Sequence, residues 1–315
     1  MDLGRGFGAS SMSEVLLDQV RRAFGRRLVE TRGVVCYDEP FRERGLDIRP
    51  LPLEAPAVVT EALAHLRDTW ELPDGSPLCE ALELWRHARE LALGLYYTWS
   101  PPAPRSWLDP RKEWGAACRH ILSTNKRNLD SPEQVVRAVD AGLYPEADEP
   151  LARWRAVKDS FIPNTVAVWL HPFAVEATAA WLDEPGIAWT EHDAFAERVA
   201  AMSGAPYFGA EGRDAAGVAI EDAGGGVIAS IASNGTGRNL QAWNRNLITS
   251  PPANGRIMEQ LVGRTFREGQ ARDVTVEWLS TCEEHEAAYA RALNDARYAQ
   301  ATTGLQQAIL RSDNG

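Results

Sequence analysis

Lysine is nearly absent. Only Lys112, Lys126 and Lys158 occur in 315 residues, and none follows a glycine. No stretch of the form GxxxxGK followed by Ser or Thr exists, which excludes a phosphate loop of that kind from this chain. The same absence disposes of a lookalike. Val34-Val35-Cys36-Tyr37-Asp38-Glu39 imitates a strand whose terminal Asp-Glu pair holds magnesium, but such a pair works beside a phosphate loop, and Pro40 ends the run at once. An edge strand or extended linker is expected there instead. Cysteine is equally sparse: Cys36, Cys79, Cys118 and Cys282 lie far apart with no CxxC, which argues against a zinc site or a disulfide framework and for buried thiols. No apolar run approaches membrane-spanning length. The opening residues lack the basic start and unbroken apolar core of a secretory signal, so a cytoplasmic location with no membrane partner is expected.

What is present is an ordinary globular composition, 44% apolar and 24% charged, with a formal charge of −11. Such an acidic balance looks wrong for a phosphate-backbone partner. Charge is local, however. Residues 229–272 carry Arg238, Arg245, Arg256, Arg264, Arg267 and Arg272 against Glu259 and Glu268, a net of +4. The bland alternative is an arginine-rich solvated face.

The chain divides into three parts. Residues 1–50 hold a helical opening over 13–28 and a linker-like segment. Residues 51–160 form a mostly helical region broken by Pro and Gly, with one apolar stripe at Val58, Ala62, Leu66 and Trp70 and another at Leu78, Leu82, Trp85, Ala92 and Leu95. Tyr96, Tyr97 and Trp99 follow as a core aromatic cluster rather than a base-stacking platform. The polar loop Asn125-Lys126-Arg127-Asn128 and the scattered His65, His87 and His120 are taken as structural.

From residue 161 to 315 strands and helices alternate. Val166-Ala167-Val168-Trp169-Leu170 reads as a strand buried on both faces of a parallel sheet. A helix over 173–182, a strand over 187–190, a helix over 193–202 capped by Asp193, a strand over 206–208 and a helix over 213–222 follow. Strands at Val227, Asn246 and Val274 complete a doubly wound parallel α/β sheet. Ligands in such sheets bind beyond the carboxyl ends of the strands, where residues 233–237 and the loop before Arg256 would lie. A histidine beside proline, His171, is expected to be a satisfied loop residue.

The chemistry concentrates in residues 227–279. Ser233-Asn234-Gly235-Thr236-Gly237 follows a short apolar strand and offers backbone N–H groups and hydroxyls to a phosphate. Farther on, Gln260, Gly263, Arg264, Arg267, Gly269 and Gln270 place two guanidinium groups three residues apart, on one side of a helix or tight turn. Such forks suit phosphate oxygens.

The ordered pair SNGTGRNL and QLVGRTFREGQ, separated by a strand and the Pro251-Pro252 turn, resembles the second motor lobe of superfamily-two helicases of the DEAD/DEAH type. The likeness is greatest to Swi/Snf-type translocases, whose fifth motif runs roughly GGTGLNL and whose sixth runs QxxGRxxRxGQ. The matches are Gly235, Thr236, Gly237, Asn239, Leu240, Gln260, Gly263, Arg264, Arg267, Gly269 and Gln270. Asn234 stands where a small residue is usual, Arg238 where an apolar one is, and Phe266 where His is common. The resemblance implies a RecA-like lobe over 161–315. It implies arginine fingers at Arg264 and Arg267, nucleotide contacts at Gln260, Gly263 and Gly235, and nucleic-acid contacts at Ser233, Thr236, Gly237 and Asn239. ATP and Mg2+ would be held mainly by a first lobe not present in this chain, in cis or in trans, and the polymer would be DNA rather than RNA. A non-enzymatic nucleic-acid-binding or regulatory module on the same fold is the alternative.

Overall fold

The computed structural model describes residues 44–311 except 125, 126, 128, 130 and 163, together with Gln19, Val20, Ala23, Gly25 and Arg27. The Val34–Glu39 lookalike, Cys36, most of the opening helix and all of the 125–128 loop but Arg127 fall outside the described residues. Among the described residues, no helix is long and apolar enough to cross a membrane.

Six strands form one all-parallel sheet: β1 (Leu46–Pro52), β4 (Gly186–Thr190), β5 (Tyr207–Phe208), β6 (Gly226–Ser230), β7 (Arg245–Ile248) and β8 (Val274–Ser280), in the spatial order β1-β8-β7-β4-β6-β5. This is an α/β arrangement, a doubly wound parallel sheet with helices on both faces. Alternate side chains leave opposite faces, as the pleat requires. Ile187, Trp189, Val227, Ala229, Ile248 and Val276 feed one core, and Ala188, Ile228, Leu247 and Leu279 feed the other. The first core is closed by α9 (Gly255–Thr265) and α10 (Glu283–Thr303). The second is closed by α1 (Ala57–Thr69), α2 (Ala81–Leu91), α6 (Phe173–Trp181) and α7 (Asp193–Ser203). α3 (Arg105–Thr124), α4 (Pro132–Asp140) and α5 (Asp148–Val157) gather around a smaller core of Trp114, Cys118, Ile121, Val135 and Leu151. Burial pushes the thiols of Cys79 and Cys118 up to about 11 and about 12, and that of half-buried Cys282 to about 11, so all three stay protonated at neutral pH.

Several expectations are corrected. Thr165–Trp169 is not in the parallel sheet. As β3 it pairs antiparallel with β2 (Leu95–Trp99) in a separate two-stranded sheet, and Val166 is 40% exposed. The aromatics Tyr96, Tyr97 and Trp99 therefore lie on a strand and not at the end of a leucine stripe, and Leu82 of that stripe is 78% exposed. The sheet also draws on both sides of residue 160, since β1 pairs with β8 and α1 and α2 pack on its face. Residues 213–222 do not form an α-helix. The Asp214 carboxylate accepts from the N–H groups of Ala216 and Val218, Gly217 turns the chain at φ 81°, and only Ile220–Asp222 makes a short 3-10 turn. Asp193 does not cap α7. His192 occupies the cap position without a side-chain bond, while Asp193 accepts from the Tyr207 hydroxyl.

One buried polar group ties the motif helix to the sheet. Asn246, 2% exposed on β7, accepts from Trp189 Nε1 at 3.1 Å and donates to Thr265 Oγ1 at 2.9 Å and Thr275 O at 3.3 Å. Asn246→Leu removes all three and strands the buried Trp189 N–H. We expect a loss of about 3 kcal/mol or more in urea unfolding, because each orphaned group carries its own desolvation cost.

Candidate nucleotide and nucleic-acid interface

The glycine turn begins where β6 ends. Ser230 leads into α8 (Ile231–Asn234), a single turn whose last residue is fully buried. Asn234 donates through Nδ2 to Phe208 O at 2.8 Å and Ser230 O at 3.2 Å, which locks the turn to the ends of β5 and β6. That bond accounts for a polar residue where a small one is usual. Gly235 is buried, and its N–H goes to Ile231 O at 2.9 Å. A Cβ there would sit 2.5 Å from that carbonyl and 3.3 Å from Leu261 Cδ2, so this glycine serves close packing and its N–H is not free for a phosphate. Gly237, at φ 76°, turns the chain outward. Thr236, Gly237 and Asn239 are exposed and Ser233 is half-buried.

From the turn the chain crosses the sheet to its amino edge, where Trp243 Nε1 donates to Gly225 O, just before β6, at 2.8 Å. α9 follows the parallel strand β7 and precedes β8, so it runs against the strands. Its end, with Arg264 and Arg267, lies at the amino edge. The carboxyl-end rule thus fits Asn234 and the loop before Arg256, but not the two arginines.

α9 starts at Asn254, whose side chain accepts from the Ile257 N–H at 3.1 Å as an N-cap. Buried Met258, Leu261, Val262 and Thr265 fix one face of it. Gln260 and Gly263 lie half-buried on the remaining face, with nothing within 4 Å of where a Gly263 Cβ would be. Arg264 donates through Nε to Gln260 O and through Nη1 to Arg238 O, each at 3.0 Å, while its own carbonyl accepts from the Leu240 N–H at 3.1 Å. These bonds stitch the glycine turn to the helix. Burial, and then the neighbouring Arg267, lower the pKa of Arg264.

Arg267 differs. It is exposed just past the helix end, and among the described residues its guanidinium makes no hydrogen bond or ion pair. Its backbone is held firmly: Gln270, 6% exposed, accepts from the Arg272 N–H and donates to Trp243 O and Thr265 O at 2.9 and 3.0 Å, and its N–H goes to Arg267 O at 3.1 Å. Gly269 closes the loop at φ 89°. Among the described residues, neither arginine pairs with a carboxylate. Glu259, which could have braced them, accepts from the N–H groups of Ala308 and Ile309.

The local charge is smaller than the composition suggests. Arg238 pairs with Glu221 at 2.9 Å, and Arg245 pairs with Glu184 at 3.2 Å. Arg272 donates to Ala242 O at 2.7 Å. Phe266, standing where His is common, is buried in the core. His171 accepts from the Phe173 N–H at 3.0 Å through Nδ1, as a satisfied loop residue. Among the described residues, no group of three His, Cys, Asp or Glu is placed to hold a metal ion.

No family model matches the chain, and no curated protein does. Among solved structures it is similar to the crystal structure of the C-terminal part of the Fun30 ATPase domain. The identity is 14% over 79% of this chain and 90% of that one, with a TM-score of 0.41. Similarity at that level leaves function to be argued from the residues.

Two features were missed by sequence reasoning. One is the tie between Arg264 and the turn, which spacing alone does not display. The other is a cavity of about 520 Å3 at the carboxyl end of β4, walled by α2, β2 and α7. Its walls come from segments more than 90 residues apart, and the β2–β3 pair that shapes it was hidden by the misplacement of both strands.

Proposed function

We propose that the chain is the second motor lobe of an ATP-dependent nucleic-acid helicase or translocase, lending Arg267 across an interface to ATP held by a first lobe. The observation that supports this most is the contrast between the two arginines. Arg264 spends its donors on backbone carbonyls, while Arg267 stands exposed on a loop held by Gln270, and among the described residues it has no polar partner and neither arginine meets a carboxylate. An uncompensated cationic pair of this kind draws an anion. The phosphate loop and the magnesium carboxylates belong to the first lobe, because this chain has no platform for either.

ATP with Mg2+, when bound, supplies the phosphoryl group whose transfer to water drives movement. Arg267 would place its planar fork on the γ-phosphate oxygens as charge spreads over them. Arg264 would hold the glycine turn at a fixed distance from that fork, and the open face at Gly263 with Gln260 would let the nucleotide side of the partner approach closely. Closure of the lobes would assemble the site.

Thr236, Gly237, Asn239 and Ser233 would meet a nucleic-acid backbone without reading its sequence, DNA in preference to RNA. Fluorescence anisotropy with labelled DNA and RNA tests this in the two-lobe protein. Binding should weaken steeply with salt, and Asn239→Ala should weaken it by about tenfold, the loss of one hydrogen bond to a charged oxygen. Binding that is undetectable at low salt, or indifferent to Asn239→Ala, would remove this role from the turn.

A further inference from the structure

Outside both motifs, buried polar groups gather where the carboxyl ends of β4 and β7 meet. The position obeys a general rule of open parallel sheets: after β4 the chain passes to α7 on one face, after the adjacent β7 to α9 on the other, and the divergence leaves a crevice where such sheets hold their ligands. Here the chain fills that crevice itself. Arg89, near the end of α2 and with its side chain only 12% exposed, pairs with Glu191 just past β4 at 3.1 Å. Through Nη2 it donates to Pro251 O at 2.9 Å and Ser250 O at 3.3 Å, both just past β7.

Two carbonyls and a carboxylate converging on one point suit a planar fork of donors. The arrangement joins three segments far apart in the sequence: α2, the turn into α7, and the Pro251-Pro252 loop that leads to Asn254, the N-cap of α9. Two prolines in succession fix φ and pass a displacement along with little give. Asp295 of α10 holds the far end of the same loop, accepting from the Gly255 N–H at 3.1 Å. The polar capacity of the crevice is only partly used, since Arg89 Nε, Ser250 Oγ and the Nε2 atoms of His192 and His285 are buried with no hydrogen-bond partner among the described residues. Burial lowers the pKa of both imidazoles and the Arg89 charge lowers it further, so neither becomes a cation that competes with Arg89 for the acceptors.

We propose that Arg89 stands in the crevice as a built-in ligand, a clamp that holds the loops after β4 and β7 on α2 and thereby positions the start of α9. A guanidinium is the chemical class the crevice selects, and the chain supplies its own. The inference goes beyond the motor reading and is tested without ATP or nucleic acid, so either can fail alone.

Native-state hydrogen exchange and thermal melting of the full chain, with and without millimolar methylguanidinium, test the clamp. In Arg89→Ala the melting temperature should fall, and the Ile257 and Met258 amides, which bond to Asn254, should lose protection by about tenfold or more. Methylguanidinium should restore both in the variant, leave the wild type unmoved, and outdo methylammonium, whose point charge lacks the fork. Arg89→Gln, a milder change that keeps an N–H donor, should show a smaller loss at the same amides, and it decides the matter if Arg89→Ala does not fold. An arginine that only braces the fold would lower the melting temperature and leave those two amides as they were. The proposal is overturned if Ile257 and Met258 in Arg89→Gln keep wild-type protection, if methylguanidinium stabilises Arg89→Ala no better than methylammonium does, or if it stabilises the wild type equally.

Discussion

Arg267→Ala, in a complex with the proposed first lobe, should cut ATP turnover by about three orders of magnitude or more while ATP affinity falls far less. Among the described residues the exposed Arg267 guanidinium makes no hydrogen bond or ion pair, so the melting temperature should barely move. Arg267→Lys should not restore turnover, because an ammonium cannot reproduce the planar two-pronged contact. Arg264→Ala should differ in kind. It loses the bonds to Gln260 O and Arg238 O, so both turnover and melting temperature should fall, through release of the glycine turn. Arg272→Ala gives up one exposed bond to Ala242 O and should be nearly silent. Turnover, affinity and stability measured on the same variants separate these outcomes. Unaltered turnover in Arg267→Ala would remove the finger.

The second large effect is a loss of stability in mild acid. His285 is fully buried at the start of α10. Its Nδ1 lies 2.9 Å from Leu279 O, and burial, followed by the nearby Arg89, lowers its pKa to about 3. The unfolded chain titrates this imidazole at its ordinary value of about 6.5. Between those values the unfolded state takes up a proton that the native state refuses, so stability falls as pH drops below about 6.5 and continues to fall toward 3. From pH 6.5 to 5 the loss from His285 should reach about 2 kcal/mol. His192, also lowered by burial, acts in the same direction. Urea unfolding of the wild type and of His285→Gln across pH 7.5 to 5 checks this, since the carboxylates titrate alike in both. The variant should show the shallower decline, and parallel curves would contradict the assignment.

The strands β4, β6, β7 and β8 were legible because short apolar runs bounded by Gly, Pro and Asn have few other uses in an α/β rhythm. β3 is just as apolar, yet apolarity does not distinguish a strand buried in a parallel sheet from one paired in a separate hairpin. Val166 is solvent-facing on the latter. β1 was hidden for the opposite reason: Asp47, Arg49, Pro50 and Pro52 disguise Leu46 and Ile48, as charges and prolines do on edge strands. Within the candidate site, residue types and spacing are what the proposed phosphate chemistry was read from. They did not show which residues are already occupied. Gly235 and Arg264 look like ligand contacts in the sequence and are held by Ile231 O, Gln260 O and Arg238 O in the fold, whereas Thr236, Asn239 and Arg267 stay open. The difference lies in tertiary hydrogen bonds, which no local pattern encodes.

The most direct test of the central claim is magnesium-dependent ATP hydrolysis by the purified chain alone, then with a first lobe that carries the phosphate loop and magnesium carboxylates, each with and without DNA. Arginines without a platform stabilise nothing, so the chain alone should show only background turnover, and the first lobe should raise it by about three orders of magnitude in an Arg267-dependent way. Hydrolysis by the chain alone that survives stringent repurification, or no gain from the first lobe, would contradict the account.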